Sequence, residues 1–165
     1  MKQNTIIGVM GPGNPDPADK ENAYCLGKLI AANGWILLNG GRNCGVMDAS
    51  ARGAKENGGL TVGILPDEDK NRMSDYIDIP VLTGMGSARN NINVLSSDII
   101  VACGISAGTA SEIALALKAG KTVIFLQKES LKCYEFFRSV SEGRIERADS
   151  PEEAVAVIRK VLQLQ

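Results

Sequence analysis

Two small-residue loops, each leading from an apolar run into a helical pattern, are the segments of this chain best suited to chemistry. In one, the run that ends at Cys103 continues as Gly104-Ile105-Ser106-Ala107-Gly108-Thr109. In the other, Trp35–Asn39 is followed by Gly40-Gly41-Arg42. Small residues let the backbone approach a ligand closely, and the free N–H groups of a first helical turn attract negative charge. Two such junctions, one with a guanidinium, predict a site for a ligand that carries phosphate.

Three charged residues lie near these loops, and two of them have two interpretations each. Glu112 completes a Thr-x-x-Glu capping box that starts at Thr109, or it faces the ligand. Arg89 stands just inside a helix start, where a cation opposes the helix dipole, and this predicts an external anionic partner. Arg42 either contacts the ligand or bridges to Asp48.

The chemistry open to this chain is limited by its composition. It has no histidine, which excludes Ser-His and Cys-His dyads and the usual zinc-hydrolase sites. Its four cysteines are scattered singly, so we predict neither a metal site nor a disulfide framework, although soft ligation by Cys44 or Cys103 stays open: Cys25, Cys44, Cys103 and Cys133. Neither a Walker loop nor a complete dinucleotide fingerprint is present, because Gly11-x-Gly13 is followed by Pro15 and Asp16.

Size and charge narrow the class of protein and of partner. A chain of 165 residues with 44% hydrophobic content predicts a single domain over residues 1–165. A net charge of −1 without a dense Lys/Arg run argues against a nucleic-acid partner. The first apolar run is too short for a signal peptide or a membrane span, so we expect a cytoplasmic protein with no membrane association.

Short apolar runs alternate with helical patterns that end at a glycine. This alternation predicts a doubly wound α/β fold, with a parallel sheet between two helical layers. Strands are predicted near Thr5–Met10, Trp35–Asn39, Leu60–Leu65, Ile77–Val81, Ile99–Cys103 and Thr122–Leu126. Helices are predicted near Pro17–Asn33, Val46–Asn57, Ser87–Ser97, Thr109–Ala119, Leu131–Val140 and Pro151–Leu164. In such a sheet the glycine-rich loops meet at the carboxyl edge, where ligands bind. The asparagines of the third helix are expected on its surface or at its cap: Asn90, Asn91 and Asn93.

An ordered set of motifs in this chain resembles the molybdenum cofactor carrier proteins. These proteins are related to the cytokinin-activating phosphoribohydrolases, and both were once grouped as lysine-decarboxylase-like. The set covers about residues 5–126: Gly40-Gly41-Arg42-x-x-Gly45-Val46-Met47, Gly59-x-Thr61-Val62-Gly63, Gly86-x-Ala88-Arg89-Asn90 and Ala107-Gly108-Thr109-x-Ser111-Glu112. The resemblance implies a Rossmann-like subunit that assembles as a dimer or tetramer. It also implies a bound molybdenum cofactor or similar phosphorylated pterin, carried or stored without chemical change, and a molybdoenzyme or cofactor-insertion protein as a possible partner.

The resemblance assigns the ligand to one set of residues in either of two functions. The predicted contacts are Gly11, Gly13, Gly40, Gly41, Arg42, Arg89, Gly104, Ser106, Ala107, Gly108, Thr109 and Glu112. The alternative is a nucleoside 5′-monophosphate phosphoribohydrolase, in which Arg89 and Glu112 would be catalytic. The chain departs from that enzyme motif, Pro-Gly-Gly-x-Gly-Thr-x-x-Glu, because Gly104 stands at the proline and Ile105 and Ser106 replace two glycines. This departure favours the carrier function over the phosphoribohydrolase activity.

Overall fold

A computed structural model describes residues 4–126 and 131–163 of the chain. The strands are β1 Ile6–Met10, β2 Ile36–Asn39, β3 Thr61–Leu65, β4 Ile79–Leu82, β5 Ile99–Cys103, β6 Thr122–Leu126 and β7 Ile145–Ala148. The helices are α1 Pro17–Ala32, α2 Gly45–Glu56, α3 Asn90–Leu95, α4 Ala107–Lys118, α5 Leu131–Ser139 and α6 Pro151–Gln163, with a 3-10 turn at Gly86–Arg89 before α3. Within these residues no helix is long and apolar enough to cross a membrane.

The seven strands form one parallel sheet in the order β4-β3-β2-β1-β5-β6-β7. The chain winds outward from β1 to β4 and then returns to place β5 beside β1, with Ile7 opposite Ile99 and Met10 opposite Ala102. Strand order therefore reverses between β1 and β5. In open α/β sheets the crevice beyond the carboxyl ends of two such strands is where ligands bind.

Alternate residues of the central strands enter two separate cores, because successive side chains of a strand point to opposite faces. Val9 and Val101 pack with α1, α2 and α6, whereas Met10 and Ala102 pack with α3, α4 and α5. Burial on both faces explains the unbroken apolar character of β5, which is completely buried. The predicted Rossmann-like, doubly wound fold with three layers is confirmed.

The sequence reading misplaced several elements. It missed β7, and it predicted as one helix over Ser87–Ser97 what is a 3-10 turn followed by a helix of 6 residues. It placed β4 at Ile77–Val81, two residues early at its start and one at its end. The predicted end of α6 at Leu164 lies outside the described residues. The remaining predicted elements are present: β5 and β6 have the predicted bounds, and the ends of the others are shifted by at most two residues.

Candidate functional site

A pocket of about 160 Å³ opens at the reversal of strand order, at the carboxyl ends of β1, β2 and β5. It brings together residues from five separate segments of the chain. Its lining is Val9, Met10, Gly11, Gly13, Gly40, Met47, Arg89, Asn90, Ser106, Gly108, Thr109 and Glu112. This volume is below the roughly 300–1,000 Å³ of sites that enclose complete small ligands, and it suits a small polar group such as phosphate.

One side of the pocket is the N-terminus of α4, which is capped by Ser106 and not by Thr109. Ser106 has an extended backbone, and its Oγ accepts a 3.2 Å hydrogen bond from the N–H of Thr109. The predicted capping box from Thr109 to Glu112 is therefore wrong, because Glu112 lies beyond the first turn. The first turn of α4 holds no acidic residue, whereas those of α1 and α2 hold Asp19 and Asp48. No acidic side chain of this first turn therefore offsets its partial positive charge.

Another part of the pocket lining is Arg89, which comes from the 3-10 turn. The side chain is 9% exposed, and its Nε and Nη1 atoms are buried without a hydrogen-bond partner. A substituent on Gly40 would collide with this guanidinium and with the Met47 sulfur, so only glycine at position 40 leaves room for it. Within the described part of the chain, Arg89 forms neither an ion pair nor a side-chain hydrogen bond.

Burial lowers the pKa of Arg89, the Glu112 carboxylate acts in the opposite direction, and the Arg42 guanidinium lowers it further. Arginine nevertheless stays protonated in proteins. A buried cation without hydrogen bonds is costly, so native structures pair such groups. Arg89 is therefore a buried cation whose charge the described residues leave without a hydrogen-bonded partner.

Glu112 enters the pocket from α4 and is held by a neighbour on α3. Its side chain is 7% exposed, and Oε1 accepts a 2.8 Å hydrogen bond from Nδ2 of Asn93, which is completely buried. Burial raises the pKa of Glu112, against the lowering effects of the Asn93 hydrogen bond and the Arg89 charge. The second oxygen, Oε2, has no hydrogen-bond partner among the described residues.

Arg42 lies beside this arrangement and has a partner within the protein. Its Nε and Nη2 atoms donate to the two carboxylate oxygens of Asp67 at 3.0 and 2.9 Å, and Arg72 donates to the same carboxylate at 2.6 Å. Hydrogen bonds from Arg42 hold the pKa of Asp67 below its usual range. The anticipated bridge from Arg42 to Asp48 is wrong, because Asp48 accepts from Ser74 instead.

The pocket includes eight of the twelve residues predicted to contact the ligand: Gly11, Gly13, Gly40, Arg89, Ser106, Gly108, Thr109 and Glu112. The other four lie outside its lining: Gly41, Arg42, Gly104 and Ala107. Their contact with ligand, like that of the eight, stays a prediction.

Sequence reasoning missed the polar face of α3. Asn90 and Asn93 were expected on the helix surface or at its cap, yet both are buried: Asn90 lines the pocket and donates to Ser111 at 2.8 Å, and Asn93 holds Glu112. The signal available was their spacing. Positions 90 and 93 are three residues apart and therefore lie on one helix face, where two amides together indicate polar contacts with a neighbouring element.

The cysteines contribute little to the geometry of the pocket. Cys103 is completely buried, and its thiol donates to the backbone oxygen of Asp19 at 3.2 Å. Burial raises the pKa of Cys103 far above its usual range, which leaves the thiol protonated and inert. In the described ranges, no group of three or more Cys, Asp or Glu side chains is placed to hold a metal ion.

Comparisons with known proteins place this geometry in a family. The model of the SLOG cluster4 family matches residues 4–155. The structure of the molybdenum cofactor binding protein from Rippkaea orientalis is 51% identical, with a TM-score of 0.95 over 98% of this chain and 99% of that one. The structure of the Moco carrier protein from Chlamydomonas reinhardtii is 47% identical, with a TM-score of 0.93 over 99% of this chain and 100% of that one.

A more limited similarity extends to an enzyme. A cytokinin riboside 5′-monophosphate phosphoribohydrolase from Mycobacterium marinum is 44% identical over 46 residues, which are 28% of this chain and 25% of the enzyme. The two molybdenum cofactor protein structures, in contrast, match almost from end to end. The chain therefore belongs to the SLOG cluster4 family and to the family of molybdenum cofactor carrier proteins.

Proposed function

We propose that this protein binds the molybdenum cofactor as cargo and carries or stores it without chemical change. The observation that carries the proposal is the buried, unpartnered guanidinium of Arg89, which lines a pocket of about 160 Å³ together with the first turn of α4. The end-to-end similarity to two molybdenum cofactor binding proteins supports this choice of ligand.

The residues of the pocket fit the phosphate end of such a ligand. The N–H groups of Ala107 and Gly108 belong to the first turn of α4, where backbone donors have no partner within the helix. Together with Arg89 they would bind the phosphate oxygens. A side-chain atom on Gly108 would meet only Ser106 Oγ, at 3.7 Å, so the space above this residue is open to a ligand.

The pocket is too small to enclose the whole cofactor, since sites for complete small ligands usually measure roughly 300–1,000 Å³. We infer that the phosphate end enters the pocket and that the pterin lies against its glycine-rich rim, formed by Gly11, Gly13 and Gly40. Arg42 is held by Asp67, so its contribution is a positive field at this rim more than a direct bond.

The test is to purify the protein from cells that synthesise molybdenum cofactor and to measure, after oxidation, the fluorescent pterin that it releases. We expect pterin in amounts comparable to the protein. A protein that carries none, and that takes up none from a cofactor-containing extract, would contradict the proposal.

The second candidate is hydrolysis of a nucleoside 5′-monophosphate to base and ribose 5-phosphate. It is favoured by the presence of Arg89 and Glu112 in one pocket, with Glu112 placed to stabilise an oxocarbenium ion. Release of adenine from AMP, measured by chromatography, decides between them. We expect none, and turnover that is lost in Glu112→Gln would make the protein an enzyme.

We further propose that the protein is a cytoplasmic homo-oligomer and delivers its cargo to a molybdoenzyme or cofactor-insertion protein. On α5, Phe136 is 63% exposed, and Val140, just past its end, is 58% exposed; both are free for a subunit contact. The exposed apolar surface of α6 is smaller than the sequence predicts, because Ala154, Val155 and Ile158 pack into the core. Light scattering that returned the mass of one chain would refute the oligomer.

A further inference from the structure

We propose that Glu112 makes the pocket selective for a phosphate group that carries a proton, and that it excludes sulfate. This inference rests on the proposed function, since it concerns the group that occupies the same pocket. It assigns to Glu112 the role of accepting a hydrogen bond from the P–OH of the ligand.

The two carboxylate oxygens of Glu112 differ in their hydrogen bonding. Asn93 donates to Oε1 at 2.8 Å and thereby fixes the orientation of the carboxylate, while Oε2 has no partner among the described residues. A carboxylate oxygen is an acceptor only, so whatever enters the pocket must offer it a donor or leave it unsatisfied. An unsatisfied buried oxygen would weaken binding.

The small size of the pocket brings a bound anion close to Glu112. Both Glu112 and Arg89 line the same pocket of about 160 Å³, so an anion bound to Arg89 also comes close to the Glu112 carboxylate. Two anions in contact repel each other unless a proton lies between them. Phosphate has such a proton to share, and sulfate has none.

The charges around Glu112 also limit what the pocket can bind. The charged group that acts on it is Arg89. Arg42 and Arg72 share the Asp67 carboxylate outside the pocket lining. On α3 the neighbour of Glu112 is the neutral Asn93. Among the described residues, Arg89 is the cation that lines the pocket, and it serves both the carboxylate and the ligand.

The experiment compares two dianions of equal charge and similar shape by calorimetry at about pH 8: inorganic phosphate, which keeps one proton there, and sulfate, which keeps none. We expect the wild-type protein to bind phosphate at least about tenfold more tightly than sulfate, the value of one hydrogen bond to a charged group. In Glu112→Gln the amide can donate to either anion, so the ratio should approach one.

A second measurement uses methyl phosphate and needs no variant. Its remaining proton dissociates near pH 6, so wild-type affinity should fall by up to about tenfold per pH unit above that value. Sulfate affinity should show no such step. Asp48→Asn, on α2 outside the pocket lining, serves as the control for loss of one carboxylate and should keep the phosphate preference.

The outcomes separate the two proposals. A wild-type protein that binds neither anion nor methyl phosphate contradicts the anion site and with it the proposed function. A wild-type protein that binds phosphate and sulfate equally, or methyl phosphate without the pH step, overturns the role of Glu112 and leaves the anion site intact. A phosphate preference that survives in Glu112→Gln also overturns it.

Discussion

Replacing Arg89 with methionine should separate ligand binding from stability, because the guanidinium serves the ligand and not the fold. In the ligand-free protein its Nε and Nη1 atoms are buried without partners, and the side chain is 9% exposed. Methionine keeps a flexible apolar chain of similar length and removes the buried charge. We therefore expect the melting temperature of the ligand-free variant to equal or exceed that of the wild type.

The loss of affinity follows from the two hydrogen bonds that the guanidinium fork would donate to one phosphate group. Each hydrogen bond between a charged donor and an anion contributes about 1.5–3 kcal/mol. Two such bonds give at least about 3 kcal/mol, which corresponds to roughly 150-fold weaker binding. The assay is fluorescence titration with a pterin phosphate monoester, alongside thermal unfolding of the same samples.

Arg42→Met is the matched control. This variant removes an arginine from the same edge of the sheet, but one that is paired with Asp67 and lies outside the pocket lining. We expect its affinity to stay within about threefold of wild type and its stability to fall by about 1 kcal/mol or less. The reasoning is refuted if Arg89→Met binds normally, or if it is destabilised more than Arg42→Met.

Three further predictions concern single residues. Gly108→Ala should weaken binding of the pterin phosphate yet keep or raise the melting temperature, because its side chain enters open space on a helix; Gly34→Ala, with φ of +70° far from the pocket, should lose about 1 kcal/mol and bind normally. Burial raises the pKa of Glu112 above 4.5, so its ionisation destabilises the folded state as pH rises from that value; the stability of Glu112→Gln relative to wild type should therefore increase from pH 4.5 towards neutrality, and a constant difference would contradict the shift. Cys103 should resist alkylation until the protein unfolds, and mass spectrometry of the native protein after labelling would reveal the contrary.

The sequence predicted the fold where local signals and burial agree. Gly34, Gly58 and Gly120 each adopt a positive φ just after a helix ends, which is the role that their positions in the sequence predict. The missed β7 has four residues at the edge of the sheet, of which Glu146 and Arg147 are exposed, so it shows no apolar run.

The glycine-rich edge was predictable for the same reason, but the partners of its charged side chains were not. Arg42 pairs with Asp67, which lies 25 residues along the chain, and Glu112 is held by Asn93, 19 residues before it. Such pairs depend on which loops meet at the sheet edge. The cap of α4 was ambiguous because Ser106 and Thr109 both have hydroxyl groups able to cap a helix.

The most direct test of the carrier function is the cofactor content of two proteins purified in parallel from cells that make molybdenum cofactor. The measurement is the fluorescence of oxidised pterin released per mole of protein. We predict that the wild-type protein retains pterin in amounts comparable to its own and that Arg89→Met, equally folded by circular dichroism, retains almost none. A wild-type protein without pterin, or an Arg89→Met variant that retains as much as the wild type, would contradict the account.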